Sequence, residues 1–279
     1  MPLAATELGY LPRPRAVAGA VVRPERLALT EPLFSQSFSQ TMAPNMEHGR
    51  MVYPPVIPAP DGIELRWEVI RVCSYLRDRL GYFIGNWGSV AVRVQDGLLT
   101  TPARMKFEDV KPEDLVVLDW EGHAQRGQRV PTSDAELHRQ LFLQRPDLGA
   151  LVHGFPPQAS VCACSHRSIP VLTSDMAAVI GGEVRCARYV PAGRVQEMAR
   201  SAREAIGRDA CAVLLANHGA VTGGRELAEA VVAAQVLERA AAILIQSEAL
   251  GGATPIAEQH WRAERAGYLQ QPFRLEEPN

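Results

Sequence analysis

The chain has 279 residues, a formal net charge of −2, 47% hydrophobic and 22% charged residues, which fits one large domain with a filled core and excludes general disorder. A near-neutral chain without a basic block offers no electrostatic footprint for nucleic acid or an anionic membrane surface, and no run approaches the ~20 apolar residues that span a bilayer. The N-terminus lacks the basic-then-apolar pattern of a secretory signal, so a cytoplasmic location is expected; the five cysteines, an odd number with no C-x-x-C pair, read as buried free thiols.

Residues 1–60, with scattered prolines, "SQSFSQ" and a closing "YPPVIPAP", read as a partly disordered arm or linker, and residues 61–279 as one globular domain. From Ile63, "IELRWEVIRVCSYLRDRLG" carries apolar residues at helical spacing and stops at Gly81. "SVAVRV", a turn at Asp96 and Gly97, and "LLTT" predict a hairpin, and "DLVVLDWEG" a further strand and turn. "SDAELHRQLFLQRPD" opens on Ser133 and Asp134, both good helix starters, and closes before Pro146. "LGALVH" and "ACAVLLANHG" are short apolar runs ending in histidine, as buried strands with a site at their ends would be, and "RELAEAVVAAQVLERAAAILIQSEALGG" is a long amphipathic helix. No solenoid-type repeat interrupts this order.

Three segments, "VPTSDAELH", "LVHGFP" and "LLANHG", place a carboxylate at a helix start and two histidines at strand ends, so all three can converge at one edge of a sheet. A single histidine at a strand end is more often a hydrogen-bonded structural residue than a ligand. The combination points to a metal site.

In this order the segments, with "GNWGSVAVRVQDGLLTTP" before them, resemble the class II aldolase and adducin family from about Ile63 to Gly252. The resemblance implies an α/β fold with a central, mostly antiparallel sheet flanked by helices, and a homotetramer with sites near subunit interfaces. Family aldolases hold a divalent metal with an H-x-H pair and the histidine of N-H-G, and use a glutamate in P-S-S-E as acid/base. Here His153 matches the first histidine and His218 the last, Phe155 stands at the second position, and Asp134 replaces the glutamate. The family's phosphate-gripping positions are occupied by Ser89, by Ala103 with Arg104, and by Thr132 with Ser133. Arg104 can pair with a substrate carboxylate or be a solvated loop residue, and Phe155, Trp87 and Phe83 can line an aromatic pocket or pack in the core. His138, four residues after Asp134 on the same helical face, is expected to support the site by holding one of its ligands in place, or to be a spare ligand.

Two histidines and a carboxylate, Asp134, His153 and His218, form the set typical of non-haem iron(II) oxygenases. The departures resemble those of the aldolase-like iron oxygenases of aminocoumarin antibiotic biosynthesis. That resemblance implies a dioxygenase using Fe(2+) and O2 on an aromatic 2-oxo acid, such as a prenylated 4-hydroxyphenylpyruvate, with Arg104, Ser89, Thr132, Ser133 and Phe155 around the substrate. The alternative is a lyase, a zinc- or manganese-dependent aldolase or decarboxylase on an unphosphorylated substrate, with Asp134 as acid/base. A non-catalytic adducin-like binding module is the third reading.

Overall fold

The computed structural model describes residues 45–47, 50–52, 56, 58, 60–124, 128–191, 193–271 and 273. Most of the expected arm at 1–60 therefore lies outside the described residues; within it β1 (Asn45–Glu47) and β2 (Arg50–Val52) pair antiparallel.

The first helix, α1 (Ile63–Asp78), is followed by Gly81 at φ +64°, a left-handed conformation that glycine adopts at little cost. β3 (Ser89–Val94) and β4 (Gly97–Thr100) form the expected hairpin, but the turn is one residue earlier than the sequence suggests: Gly97 already pairs with Val94. A Cβ on Gly97 would lie 1.8 Å from the Leu118 carbonyl oxygen, so this glycine serves close strand approach. β5 (Val116–Asp119), α2 (Ala135–Gln144), β6 (Ala150–Gly154) and α3 (Pro157–Cys164) follow. A π-helical turn (Met176–Ile180) leads to β7 (Cys186–Ala187), α4 (Val195–Ile206), β8 (Ala212–Leu215), β9 (Gly219–Gly224), the long α5 (Leu227–Ser247) and α6 (Glu258–Leu269).

The seven strands β3 to β9 form one sheet in the order β5-β4-β3-β6-β9-β8-β7, antiparallel except for the β7–β8 pair. This is the α/β architecture with a mostly antiparallel sheet that the resemblance implied. Among the described residues no helix is long and apolar enough to cross a membrane.

The sheet separates two apolar cores, and the period of two along each strand decides which residue enters which. Val90, Val92 and Val94 of β3 join Ala150 and Val152 of β6 in the core under α1. Ala91 and Leu151 point the other way, into the core containing Leu137, Leu141 and Phe142 of α2. Ser89 and His153 are register partners in the β3–β6 pair and share the parity of Ala91 and Leu151, so they face the α2 side.

Candidate functional site

Asp134 immediately precedes α2, where an aspartate normally caps the helix, yet its side chain makes no capping hydrogen bond. The carboxylate turns to the sheet instead. Its Oδ2 lies 2.9 Å from His153 Nδ1 and accepts the Ser89 hydroxyl at 2.8 Å, and Ser89 Oγ lies 2.8 Å from His138 Nε2. An ionised carboxylate only accepts, which fixes every proton in this chain. His153 donates through Nδ1–H, Ser89 donates to Asp134, and Ser89 accepts from His138 Nε2–H.

Two nitrogens are left over. His153 is 1% exposed and His138 0% exposed, and His153 Nε2 and His138 Nδ1 are buried without a hydrogen-bond partner. A buried polar atom left unsatisfied costs about 1–3 kcal/mol, so such an atom in a site is a place where a ligand is rewarded. In many metal centres a histidine donates one ring N–H to a carboxylate and offers the other nitrogen to the ion. His153 has this arrangement, with Nε2 as the free donor.

His218 lies in the β8–β9 turn, not at a strand end, and its ring stacks on that of His153 with centroids 5.1 Å apart and planes 13° from parallel. Burial and then the nearby His153 lower its pKa against the pull of Asp134, so the neutral imidazole that a cation needs is favoured. Burial pushes His138 down to about 4, with Asp134 opposing and His153 assisting. For Asp134 burial opposes ionisation, but His153, His138 and the Ser89 hydroxyl together outweigh it and hold the carboxyl well below the usual carboxylate range.

Phe155 fills the remaining side. Its ring meets His153 and His218 edge-on, with centroids at 5.3 and 5.6 Å. Among the described residues no group of three or more His, Cys, Asp and Glu side chains is arranged to hold a metal ion. The residues fit a cation held by two imidazole nitrogens, with Asp134 fixing one of them.

Of the other residues singled out in the sequence, Thr132 and Ser133 border the carboxylate, with Oγ1 and Oγ each 3.5 Å from an Asp134 oxygen. Arg104 is exposed with φ +59°, on a loop tied to the same entry by Ala103 N–H to Val130 O and Thr132 N–H to Thr101 O. Phe83 stacks on Phe107 at 4.8 Å and belongs to the core, whereas Trp87 is 65% exposed. Sequence reading missed the pair His166 and Asn217, both left-handed (φ +52° and +55°), with His166 Nε2 2.6 Å from Asn217 Oδ1. They brace the turn that carries His218. An asparagine between an apolar strand and His-Gly was the available signal, because asparagine tolerates this conformation better than most residues.

Residues 68–245 match the family described as the class II aldolase and adducin N-terminal domain. Over 184 residues, 66% of this chain and 74% of the relative, the sequence is 37% identical to the 5-methylthioribulose-1-phosphate/5-deoxyribulose-1-phosphate aldolase of Rhodospirillum rubrum. Over 193 residues, 69% of this chain and 88% of the relative, it is 29% identical to the L-fuculose phosphate aldolase of Escherichia coli. A solved L-fuculose 1-phosphate aldolase superposes with a TM-score of 0.68 at 27% identity, covering 74% of this chain and 97% of that one.

These relatives are named as aldolases, which overturns the expected oxidoreductase of antibiotic biosynthesis. An iron(II) dioxygenase that oxidatively decarboxylates an aromatic 2-oxo acid has no support among them, nor do Fe(2+) and O2. Asp134, on which the iron reading depended, is hydrogen-bonded to His153 Nδ1 and Ser89, and a shorter carboxylate beside two histidines does not by itself change the reaction class.

Proposed function

The chain belongs to the class II aldolase and adducin family, and from that premise we propose that it is a divalent-metal aldolase cleaving a ketose 1-phosphate. The observation that carries the reading is the buried, partnerless Nε2 of His153, held in one tautomer by Asp134. His153 and His218 would hold the cation, zinc or manganese, with substrate or water oxygens in the positions the protein leaves open. Such an ion supplies a Lewis acid beside a carbonyl, stabilising negative charge there.

The chain's own residues do the rest. Retro-aldol cleavage takes a hydroxyl proton, breaks one C–C bond and leaves negative charge on the carbonyl fragment. Asp134 Oδ2 is already engaged by His153 and Ser89, while Oδ1 has only a 3.5 Å contact with Ser133, so Oδ1 is the oxygen that would move the proton. Ser89 and His138 keep the carboxylate from rotating. The substrate phosphate would sit at the start of α2, which no side chain caps, between the hydroxyls of Thr132 and Ser133 and the guanidinium of Arg104. A homotetramer belongs to the same proposal and is checked by light scattering.

Zinc-loaded protein should release an aldehyde from a ketose 1-phosphate. His153→Ala should lose bound zinc and at least ~10³-fold in turnover, since a metal contributes several kcal/mol to such charge stabilisation. A folded His153→Ala protein with full zinc content would remove His153 from the ligand set.

A further inference from the structure

Three thiols come together where α3 ends and β7 begins. Cys162 and Cys164 lie in the last turn of α3, and Cys186 opens β7. All three are free; Cys162 is buried, Cys186 half-buried and Cys164 exposed.

The Cys186 sulfur rests against two backbone carbonyl oxygens, 3.9 Å from Ala163 O and 3.6 Å from Ala187 O. Each of these carbonyls also accepts a hydrogen bond. Ala163 O takes the Asn217 N–H at 3.2 Å, and Ala187 O takes the Ala216 N–H at 3.3 Å. Ala216 and Asn217 are the two residues before His218, so α3 and β7 each supply one acceptor to the backbone that runs into it. Asn217 is left-handed at φ +55°, a conformation that persists only where its surroundings hold it.

Residues two apart on a helix do not face each other, so Cys162 and Cys164 have no route to a mutual bond without unwinding α3. Cys186 is the thiol that both approach. Burial, and then the neighbouring Cys162 and Cys164 thiols, push its pKa up, so it stays protonated and is slow to meet an oxidant. Solvent access makes Cys164 the first to react. Ala163 O and Cys164 Cα share one peptide plane about 2.8 Å apart, which puts the Cys186 sulfur within ~7 Å of Cys164 Cα. Closing to the ~2.05 Å of a disulfide takes that sulfur off both carbonyls and draws their two elements together.

We infer that Cys164 and Cys186 are a redox-responsive pair, which hydrogen peroxide joins as a disulfide that loosens the turn carrying His218. The Cys164 sulfur attacks one peroxide oxygen and the O–O bond breaks, giving a sulfenic acid and one water. The Cys186 sulfur then attacks the sulfenic sulfur, the S–O bond breaks and a second water leaves. The two thiols give up two protons and two electrons, the peroxide is reduced to water, and a dithiol reverses the bond.

The test treats the full-length protein with hydrogen peroxide, maps its peptides without reduction, and follows amide hydrogen exchange by NMR before and after a dithiol. A Cys164–Cys186 crosslink should appear, and the Ala216 and Asn217 amides should exchange at least ~10-fold faster until the dithiol restores them. Cys164→Ser and Cys186→Ser, treated in the same way, should show neither change. A zinc competition titration adds a reading that rests on the metal site proposed above: the oxidised protein should bind about 10- to 100-fold more weakly. No crosslink, or a Cys162–Cys186 crosslink in its place, overturns the pair. A Cys164–Cys186 crosslink with unchanged amide exchange overturns its connection to the His218 turn. Absence of zinc binding in both forms overturns the metal reading alone, because the crosslink and the amide exchange still decide the pair.

Discussion

The face of the sheet that meets α2 carries two buried polar clusters, one at each end of β3, and they differ in one respect. At the far end, Arg93 lies between the rings of Trp120 and Phe142 at 4.9 and 4.8 Å and donates to the carbonyls of Leu148, Phe142 and Arg145. Beside it Arg145 pairs bidentately with Asp147 at 2.8 and 2.7 Å and donates to Ala210 O at 2.6 Å. At the near end the chain His153–Asp134–Ser89–His138 is just as buried, but two ring nitrogens have no partner. A satisfied cluster holds the fold together. A cluster with a donor or acceptor left over is stabilised by whatever fills it, which is how a binding site differs from a structural one of the same composition.

The largest effect that can break this contrast comes from the structural end. Arg145→Ala leaves Asp147 charged and buried, and should cost ~3–5 kcal/mol in urea unfolding. Folded Arg145→Ala protein should bind zinc with unchanged affinity, and a large loss of affinity would mean that the two ends are not separate. At the other end Asp134→Asn keeps an acceptor for His153 but removes the charge. It should weaken zinc binding about 10- to 100-fold in a competition titration, with Asp147→Asn having no effect on affinity. Equal losses in these two variants would remove the distinction.

The smallest effect concerns Glu226, at the start of α5. Burial first, then Glu229 and Glu68, push its carboxyl up to about 7 against the pull of Arg225. Below the ordinary carboxylate range both folded and unfolded chains hold this proton, and stability is unaffected. As pH rises towards 7 the unfolded chain ionises first, so the folded state loses stability, with the full penalty present above pH 7. Glu226→Gln should therefore stabilise at pH 8 by on the order of 1 kcal/mol, discounted for partial exposure, and by nothing near pH 4. A gain independent of pH would show that the carboxylate charge is not its cause.

Much of this arrangement was legible in the sequence because it depends on periodicity and on residues with narrow roles. The alternation Val90, Val92, Val94 fixed one face of β3, the Asp-Gly pair announced the hairpin, and the histidines of "LVHG" and "LANHG" marked the site. Three things were not legible. Ser133 and Asp134 read as helix starters, and only tertiary structure shows that the Asp134 side chain leaves the helix for His153. The helices α3, α4 and α6 were not called out, although "VQEMARSAREAI" is amphipathic. The reaction class was also out of reach, because losing one histidine and shortening one carboxylate are compatible with several chemistries until the orientation of each ring is known.

The shared register of β3 and β6 has one further consequence. Ser89 with His153 is the last rung of this ladder, and both side chains stand on the α2 face. The phase of this rung is set by the strands behind it, so residues beyond it can change by point substitution while the polar chain stays in place. An insertion or deletion of one residue within β3 does the opposite: it turns Ser89 to the other face of the sheet and parts it from Asp134 and His138 in one step.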